Sequence, residues 1–222
     1  MAGGPGVWRS GLTLGILAAT CTALVAITWH LTAPRIAENE QAALERSLEP
    51  TLSGVFYDNV ASESLLVIPP PHELPGTEPV PVYRVYSEEA PVAAVFVVTE
   101  PGGYAGPIKL LIGIEYSGEV TGVRVLEHHE TPGLGDLIEA SKTNWLQQFG
   151  GTSLAAPPRE EWAVRRDGGA FDQITGATIT TRAVVRAVKQ TLVYFESHRD
   201  FIFQAAGEEP KDQGEQPKEQ AE

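Results

Sequence analysis

The residues best suited to chemistry in this chain are four hydroxyl side chains around a pair of small residues. Gly176 and Ala177 are small enough to let another group approach the backbone closely. Hydroxyls beside them could cap a following helix by accepting hydrogen bonds from its first N–H groups. Those free N–H groups and the positive end of the helix dipole also favour an anion, such as a phosphate near Thr178. The hydroxyls belong to Thr175, Thr178, Thr180 and Thr181.

The element that must position these hydroxyls is a helix. After Thr181, apolar residues recur about every 3.6 residues, and polar residues share the opposite face. The pattern predicts a helix from about Thr178 to His198 with one buried face. The apolar positions are Val184, Val185, Val188, Leu192 and Phe195, and the polar ones are Arg182, Arg186, Lys189 and Gln190.

Composition excludes several classes of function. The chain of 222 residues has a formal net charge of −13 and an isoelectric point of about 4.8. Nucleic acid is therefore not an expected partner, because phosphate binding needs a basic surface. A hydrophobic content of 42% supports a folded core. The single cysteine, Cys21, excludes an intrachain disulfide and a cysteine-based metal site.

The N-terminal region has the pattern of a membrane anchor. Residues 1–10 carry Arg9 and no acidic residue, and residues 11–31 contain no Asp, Glu, Lys or Arg. A helix of that length, rising about 1.5 Å per residue, spans a hydrocarbon core of about 30 Å. The positive-inside rule predicts a cytoplasmic N-terminus, with the rest of the chain across the membrane. A cleaved signal peptide is the alternative, and the long apolar run and Pro34 disfavour it.

The rest of the chain predicts one α+β domain. Runs rich in β-branched and aromatic residues predict antiparallel strands at 82–86, 92–98, 109–116 and 120–126. Helices are expected at 37–48 and 137–149, an extended linker or edge segment at 66–82, and residues 162–164 suit a short strand. The expected organisation is a cytoplasmic N-terminus at 1–10, a transmembrane helix at 11–31, a helical stalk and Pro-rich linker at 32–81, the domain at 82–203 and a disordered acidic tail at 204–222.

Three stretches between or beside the predicted elements are the other candidate binding segments, at 102–108, 128–136 and 162–171. His128 and His129 would point to opposite faces of a strand, which is poor geometry for one metal ion, so no metal site is predicted. Glu130 has no nucleophile or partner acid in a recognisable pattern beside it, so no hydrolase and no catalytic residue is predicted.

The order Asp172-x-x-Thr175-Gly176-Ala177-Thr178 resembles the motif on which a flavin transferase attaches FMN to the last threonine through a phosphoester. With the stretches 130–136 and 171–180, the region from about Gly102 to Lys189 resembles the G subunit of the Rnf ion-translocating electron-transport complex. The N-terminal anchor matches that protein as well. The related C subunit of the sodium-translocating NADH:quinone reductase shares the anchor and the flavin motifs and is the nearest alternative.

The resemblance implies a domain that binds FMN covalently on Thr178. Asp172, Thr175, Gly176 and Ala177 would belong to the recognition sequence of the transferase. Leu134 would pack on the flavin ring, and a second wall would come from the loop that contains Gly106. The residues expected to contact the cofactor are Glu130, Thr131, Pro132, Gly133, Leu134, Gly103, Tyr104, Thr180 and Thr181.

The implied function is that of one electron-transfer subunit in a translocase of the bacterial inner membrane, which couples ferredoxin- or NAD-linked electron transfer to ion translocation. The implied partners are the other Rnf subunits, the flavin transferase and membrane lipid. Two alternatives of other classes remain. One is a flavin-free structural or assembly protein whose threonines only cap a helix, and the other is a periplasmic module that binds a small ligand reversibly.

Overall fold

The computed structural model describes residues 5–52 and 54–204 of the chain. The chain divides into two compact units, one ending at Glu49 and the other beginning at Pro50. The first contains one long helix, α1, Pro5–Leu48, which includes the segments expected to be helical at 11–31 and 37–48. Of the expected tail at 204–222, all but Gln204 lies outside the described residues, as do residues 1–4 of the N-terminal segment.

Many apolar side chains of α1 are exposed on the surface of this unit. Among the described residues, no helix has both the length and the apolar character needed to cross a membrane. The expected span at 11–31 includes Thr13, His30 and Leu31, whose side chains lie outside the described residues. The exposed large apolar residues of α1 are Trp8, Leu12, Leu14, Ile16, Leu17, Leu24, Val25, Ile27 and Trp29.

The second unit is built on an antiparallel sheet of five strands in the order β1-β2-β3-β4-β5. The four predicted strands and their hairpins are confirmed, with ends that differ by a few residues. Residues 65–68 add a short edge strand in the proline-rich region, where an extended linker or edge segment was expected. The strands are β1, Leu65–Ile68; β2, Val80–Ser87; β3, Ala90–Glu100; β4, Ile108–Glu115; and β5, Val120–Glu127.

The predicted C-terminal helix, α2, Thr178–Phe203, is confirmed and packs on the middle of the sheet. Its predicted apolar face is buried together with β3 and β4 side chains in one core. The rings of Phe96 on β3 and Phe195 on α2 meet edge to face, with centroids 6.2 Å apart. The helix extends five residues beyond the predicted end, across a kink at His198.

The helix predicted at 137–149 is wrong. Two 3₁₀ turns replace it, Gly135–Ile138 and Trp145–Phe149. Between them, the Thr143 hydroxyl donates to Leu137 O at 2.6 Å and accepts from Trp145 N–H at 3.2 Å. Side-chain hydrogen bonds of this kind compete with the helical backbone pattern, which explains the interruption. The strand suggested at 162–164 is reduced to a single bridge between Val164 and Phe171.

Candidate functional site

Three loops meet at one end of the sheet, because the strand register brings their starting points together. Glu100 at the end of β3 pairs with Ile108 at the start of β4, and Lys109 pairs with Glu127 at the end of β5. The loop after β3 and the loop after β5 therefore leave the sheet side by side. The first turn of α2 lies against both, as the hydrogen bonds of Glu130 demonstrate.

Glu130 joins these three segments through a buried carboxylate. One oxygen, Oε1, accepts a hydrogen bond from the Ala105 N–H at 3.1 Å, and the other, Oε2, accepts from the Thr180 hydroxyl at 2.5 Å. Only 5% of Glu130 is exposed. A hydrogen-bonded carboxylate in this position holds the loops in place, because an unpartnered buried carboxylate is costly.

Two glycines make room for the Glu130 carboxylate. A Cβ atom at Gly103 would lie 2.8 Å from Glu130 Oε1, and one at Gly135 would lie 2.6 Å from Oε2. Any larger side chain at either position would displace the carboxylate or the loop. Gly103 was expected from the sequence to form part of a wall of the cofactor site. In the structure it leaves the space that the Glu130 carboxylate occupies.

The threonines at the start of α2 do not cap the helix, and that interpretation is therefore wrong. The N-cap residue of α2 is Ala177, and among the described residues no side chain forms a capping hydrogen bond to the first turn. The Thr181 hydroxyl donates to the carbonyls of Ala177 and Thr178, both at 3.1 Å, and Thr180 is engaged with Glu130. Within the described residues, the half-buried Thr178 hydroxyl makes no hydrogen bond. The first N–H groups of α2 therefore keep their capacity to bind an anion.

A cleft of about 480 Å³ opens directly at Thr178. This volume lies within the range of small-molecule and cofactor sites. Tyr104, Leu134 and Ile179 are large side chains that remain 68%, 44% and 48% exposed beside it. The cleft is lined by Tyr104, Glu130, Thr131, Leu134, Gly135, Arg166, Gly176, Ala177, Thr178, Ile179 and Thr180.

Most of the residues expected to contact the cofactor meet in this cleft, and the exceptions lie beside it. Gly103 precedes the lining residue Tyr104, and Thr181 follows the lining residue Thr180, while Pro132 and Gly133 form the turn that carries Leu134. The Leu134 N–H donates to Thr131 O at 3.1 Å, and Gly133 has a φ of +77°, as a type II turn requires. Sequence reasoning missed Gly135, Arg166 and Ile179 as lining residues.

Asp172 and Thr175 lie outside the cleft, on the surface next to it. The Asp172 carbonyl accepts from the Trp145 indole N–H, and its N–H donates to the Gln148 side chain, both at 2.7 Å. Its carboxylate pairs with Arg165 at 2.7 Å and remains largely exposed. Hydrogen bonds to the 145–149 turn therefore fix the backbone of the motif at Asp172, while the Asp172 carboxylate remains largely exposed.

Arg166 is the cationic side chain that lines the cleft. Its two basic neighbours are engaged elsewhere, since Arg165 pairs with Asp172 and Arg182 forms two hydrogen bonds of 2.5 Å to Asp167. The Arg182 hydrogen bonds hold the pKa of Asp167 below its usual range. Among the residues that the structure describes, Arg166 forms no ion pair. A sequence pattern could not single it out, because three arginines lie within a few residues of this acidic turn and of the start of α2.

A polar cluster forms the outer rim of the loop after β5. The Lys142 ammonium lies 2.7 Å from Asp136 Oδ2 and 2.6 Å from Glu139 Oε1. The hydrogen bonds from Lys142 lower the pKa of both carboxyls. In turn, the hydrogen bond to Asp136 and, to a smaller extent, the one to Glu139 raise the pKa of Lys142. Glu139 also contacts His128 Nε2 at 3.0 Å, while His128 Nδ1 accepts from the Glu130 N–H. The proton of neutral His128 therefore resides on Nε2.

Two family models match the chain. One describes an FMN-binding domain and covers residues 103–193, and the other describes the RnfG N-terminal region and covers residues 1–50. The first range includes every residue that lines the cleft.

Three relatives that match most of the chain are named as the G subunit of the ion-translocating oxidoreductase complex. The relative from Shewanella piezotolerans is 42% identical over 197 residues, which is 89% of this chain and 93% of the relative. The one from Photorhabdus laumondii is 46% identical over 85% of this chain and 90% of its own length. The one from Pseudomonas aeruginosa is 42% identical over 90% and 95%. Among solved structures, the crystal structure of Shewanella oneidensis NqrC matches 65% of this chain and 74% of its own, with a TM-score of 0.44 and 20% identity.

The relatives agree with the sequence resemblance and favour the G subunit over the C subunit of the sodium-translocating reductase. Each relative matches this chain at 42–46% identity over most of the length of both proteins, so the similarity is not confined to the flavin motif. With an FMN-binding domain at residues 103–193 and the RnfG N-terminal region before it, this chain belongs to the family of G subunits of the ion-translocating oxidoreductase (Rnf) complexes, the electron-transfer subunits of a translocase.

Proposed function

We propose that the chain carries FMN covalently, through a phosphoester on Thr178, and passes electrons between other subunits of its complex. The observation that carries the proposal is the Thr178 hydroxyl, which is half-buried, unbonded among the described residues and open to a cleft of about 480 Å³. The neighbouring hydroxyls are engaged inside the protein, since Thr181 donates to backbone carbonyls and Thr180 donates to Glu130.

The surroundings of Thr178 suit a flavin phosphate and a flavin ring. The uncapped first turn of α2 offers N–H groups and a positive dipole end to the phosphate. Leu134 and Ile179 offer apolar surface to the ring, and Tyr104 offers an aromatic face. Gly176, with a φ of +84°, brings the motif close to Leu134, whose Cδ2 would lie 3.0 Å from a Cβ at that position.

The protein residues act by positioning. Bound FMN would supply the electron-transfer chemistry. Glu130 and Thr180 fix the loops that face the ring. Attachment itself requires the flavin transferase. In that reaction Thr178 Oγ1 forms a bond to the flavin phosphorus, the bond from phosphorus to the leaving group of the donor breaks, and the hydroxyl proton passes to a base.

The test of attachment is the mass of the intact chain after co-expression with a flavin transferase. Wild type should gain the mass of FMN less one water and fluoresce in a denaturing gel. Thr178→Val, which keeps the shape of the side chain but lacks the hydroxyl, should gain nothing, and Thr178→Ser should restore the label. A Thr178→Val chain that still carried flavin after denaturation would exclude Thr178 as the attachment residue. A dialysable flavin would instead favour a reversible binding module, and a colourless protein would favour a structural role.

We also propose that α1 anchors the chain in the bacterial inner membrane, with residues 11–31 as the span and the domain in the periplasm. Support comes from the exposed apolar side chains of α1, the lack of Asp, Glu, Lys and Arg between residues 11 and 31, and the match to the RnfG N-terminal region. Residues 1–10 are then cytoplasmic and 204–222 form the acidic tail. The domain begins earlier than the expected residue 82, because β1 belongs to its sheet and the second unit begins at Pro50. Lipid contacts the anchor, and the other Rnf subunits contact the domain.

Protease added to spheroplasts tests this topology. It should digest the domain, while the same protease added to inverted membrane vesicles should leave the domain intact. A cytoplasmic protein of the same cells serves as the control for leakage. Protection in spheroplasts, or release of the chain from membranes by alkaline carbonate, would contradict the proposed anchor.

A further inference from the structure

We propose that Arg166 is the residue that holds the flavin phosphate, and that it lets this chain distinguish phosphorylated flavin from riboflavin. The inference rests on the proposed role of Thr178 and extends it to a residue outside the flavin-attachment motif.

Arg166 shares the cleft with Thr178. Both line the same volume of about 480 Å³, although they lie 12 positions apart in the chain. Arg166 belongs to the short 3₁₀ turn Arg165–Asp167, which ends at Gly168 in the left-handed conformation, with a φ of +86°. This reversal brings the chain back so that the motif passes beside the turn.

The position of Arg166 is tied to the motif by a backbone hydrogen bond. Its N–H donates to the Gln173 side-chain oxygen at 3.2 Å. The neighbouring Arg165 N–H donates to the carbonyl of Phe171 at 2.7 Å. The turn and the motif therefore form one unit, and a phosphate on Thr178 stays at a fixed distance from the turn.

The charge of Arg166 is the one left without a carboxylate partner among the described arginines near the start of α2. Arg165 is paired with Asp172, and Arg182 with Asp167. Arg186 lies 2.6 Å from the buried Glu100. Arg166 contributes to the field at Asp167, but no carboxylate lies within ion-pair distance of it in the part of the chain that the structure describes.

A guanidinium suits this task because its planar N–H groups match two phosphate oxygens at once. The Thr178 ester would retain one negative charge, which one guanidinium neutralises. Riboflavin has no phosphate and would leave Arg166 solvated. A hydrogen bond to a charged group contributes enough to predict about a tenfold preference for FMN over riboflavin.

The test uses the full chain, purified in detergent from a host without the flavin transferase, and titrated with FMN and with riboflavin into the millimolar range. Wild type should bind FMN about tenfold more tightly than riboflavin. Arg166→Gln should lose the preference, and Arg166→Lys should keep part of it. The matched control is Arg159→Gln, which removes the same charge from an exposed arginine paired with Glu196 outside the cleft. It should behave as wild type.

A second readout uses the chain loaded by co-expression. The ³¹P resonance of the phosphoester should shift in Arg166→Gln and stay in place in Arg159→Gln. Equal affinity for the two flavins, a preference that survives in Arg166→Gln, or no binding of either flavin would overturn the proposal. A chain that gains no mass at Thr178 but keeps the Arg166-dependent preference for FMN would contradict only the covalent attachment. If the chain gains the mass of FMN but the ³¹P resonance is unchanged in Arg166→Gln, only the proposed role of Arg166 is contradicted.

Discussion

The two ends of α2 are treated in opposite ways by the surrounding protein. At the end of the helix, the Arg84 guanidinium donates to Gln204 O at 3.0 Å, and Phe203 packs edge to face on the rings of Tyr86, Tyr116 and Phe195. At its start, no side chain of the described part of the chain caps the first turn, and Thr178 lines a cleft. We call these the closed end and the open end.

The difference indicates that the backbone N–H groups at the open end remain available to bind a ligand. A helix end normally gains stability when its free backbone groups are capped. The closed end follows that rule, whereas the open end does not, even though it carries four threonines that could cap it. Departures of this kind are expected where a site must bind something else. Four variants measure how much residues at the closed end and around the open end contribute to the stability of the fold.

The largest effect is expected from Phe195→Ala at the closed end. Phe195 is 1% exposed and contacts the rings of Phe96 and Phe203. Its removal should lower the free energy of unfolding by about 3–5 kcal/mol, as buried Phe→Ala changes do. Urea denaturation followed by circular dichroism measures the change. Thr178→Ala should change stability by less than about 0.5 kcal/mol, because its hydroxyl is unbonded. Similar losses for the two variants would break the comparison.

A smaller effect, about 2–3 kcal/mol, is expected from Glu130→Ala, because the Thr180 hydroxyl and the Ala105 N–H lose their acceptor inside the protein. The same denaturation experiment applies. Glu127→Ala, on the exposed end of β5, removes an equal charge and should have little effect. A double-mutant cycle with Thr180→Val should give a coupling free energy of about 1 kcal/mol. Additive effects in that cycle would mean that the Glu130–Thr180 bond does not join the loops.

Gly176→Ala should cost about 1–2 kcal/mol, because residue 176 has a φ of +84° and a Cβ there strains the backbone. The added carbon would also meet Leu134 Cδ2 at 3.0 Å. Gly133→Ala is the matched control, with a φ of +77° and nothing within 4 Å of the added carbon. The difference between the two variants in thermal unfolding isolates the contact with Leu134. No difference would mean that Leu134 moves freely at the cleft.

The smallest effect concerns pH. Lys142 lowers the pKa of Asp136 and Glu139 in the folded chain, so the unfolded chain binds more protons as the pH falls. This contribution is complete above the unfolded pKa values and is lost as the pH drops through the folded ones, below about pH 4. Denaturation midpoints from pH 7 to pH 3 should therefore fall less in Lys142→Gln than in wild type. Lys109→Gln, at an exposed site, is the control, and identical pH profiles for wild type and Lys142→Gln would contradict the assignment.

Sequence patterns predicted the regular elements because their signals are local. The period of apolar residues in α2 and the β-branched and aromatic runs of β2–β5 are local features, and the structure confirms the helix and the strands that they predict. The sequence did not decide between a linker and an edge strand for β1, because four residues beside a run of prolines are too few to show a strand pattern. The helix predicted at 137–149 failed because Thr143 and its neighbours bind the backbone in competition with helical bonds.

By itself, the sequence determined the family, the α+β class and the position of the Thr178 motif, since each is encoded in residue order along a short stretch. Only the tertiary structure decided that Glu130 and Thr180, 50 positions apart, share a hydrogen bond. It also decided that Arg166 lies in the cleft and that the first turn of α2 stays uncapped. These features arise where strand register and loop packing bring distant residues together, and no local period of the sequence specifies such contacts.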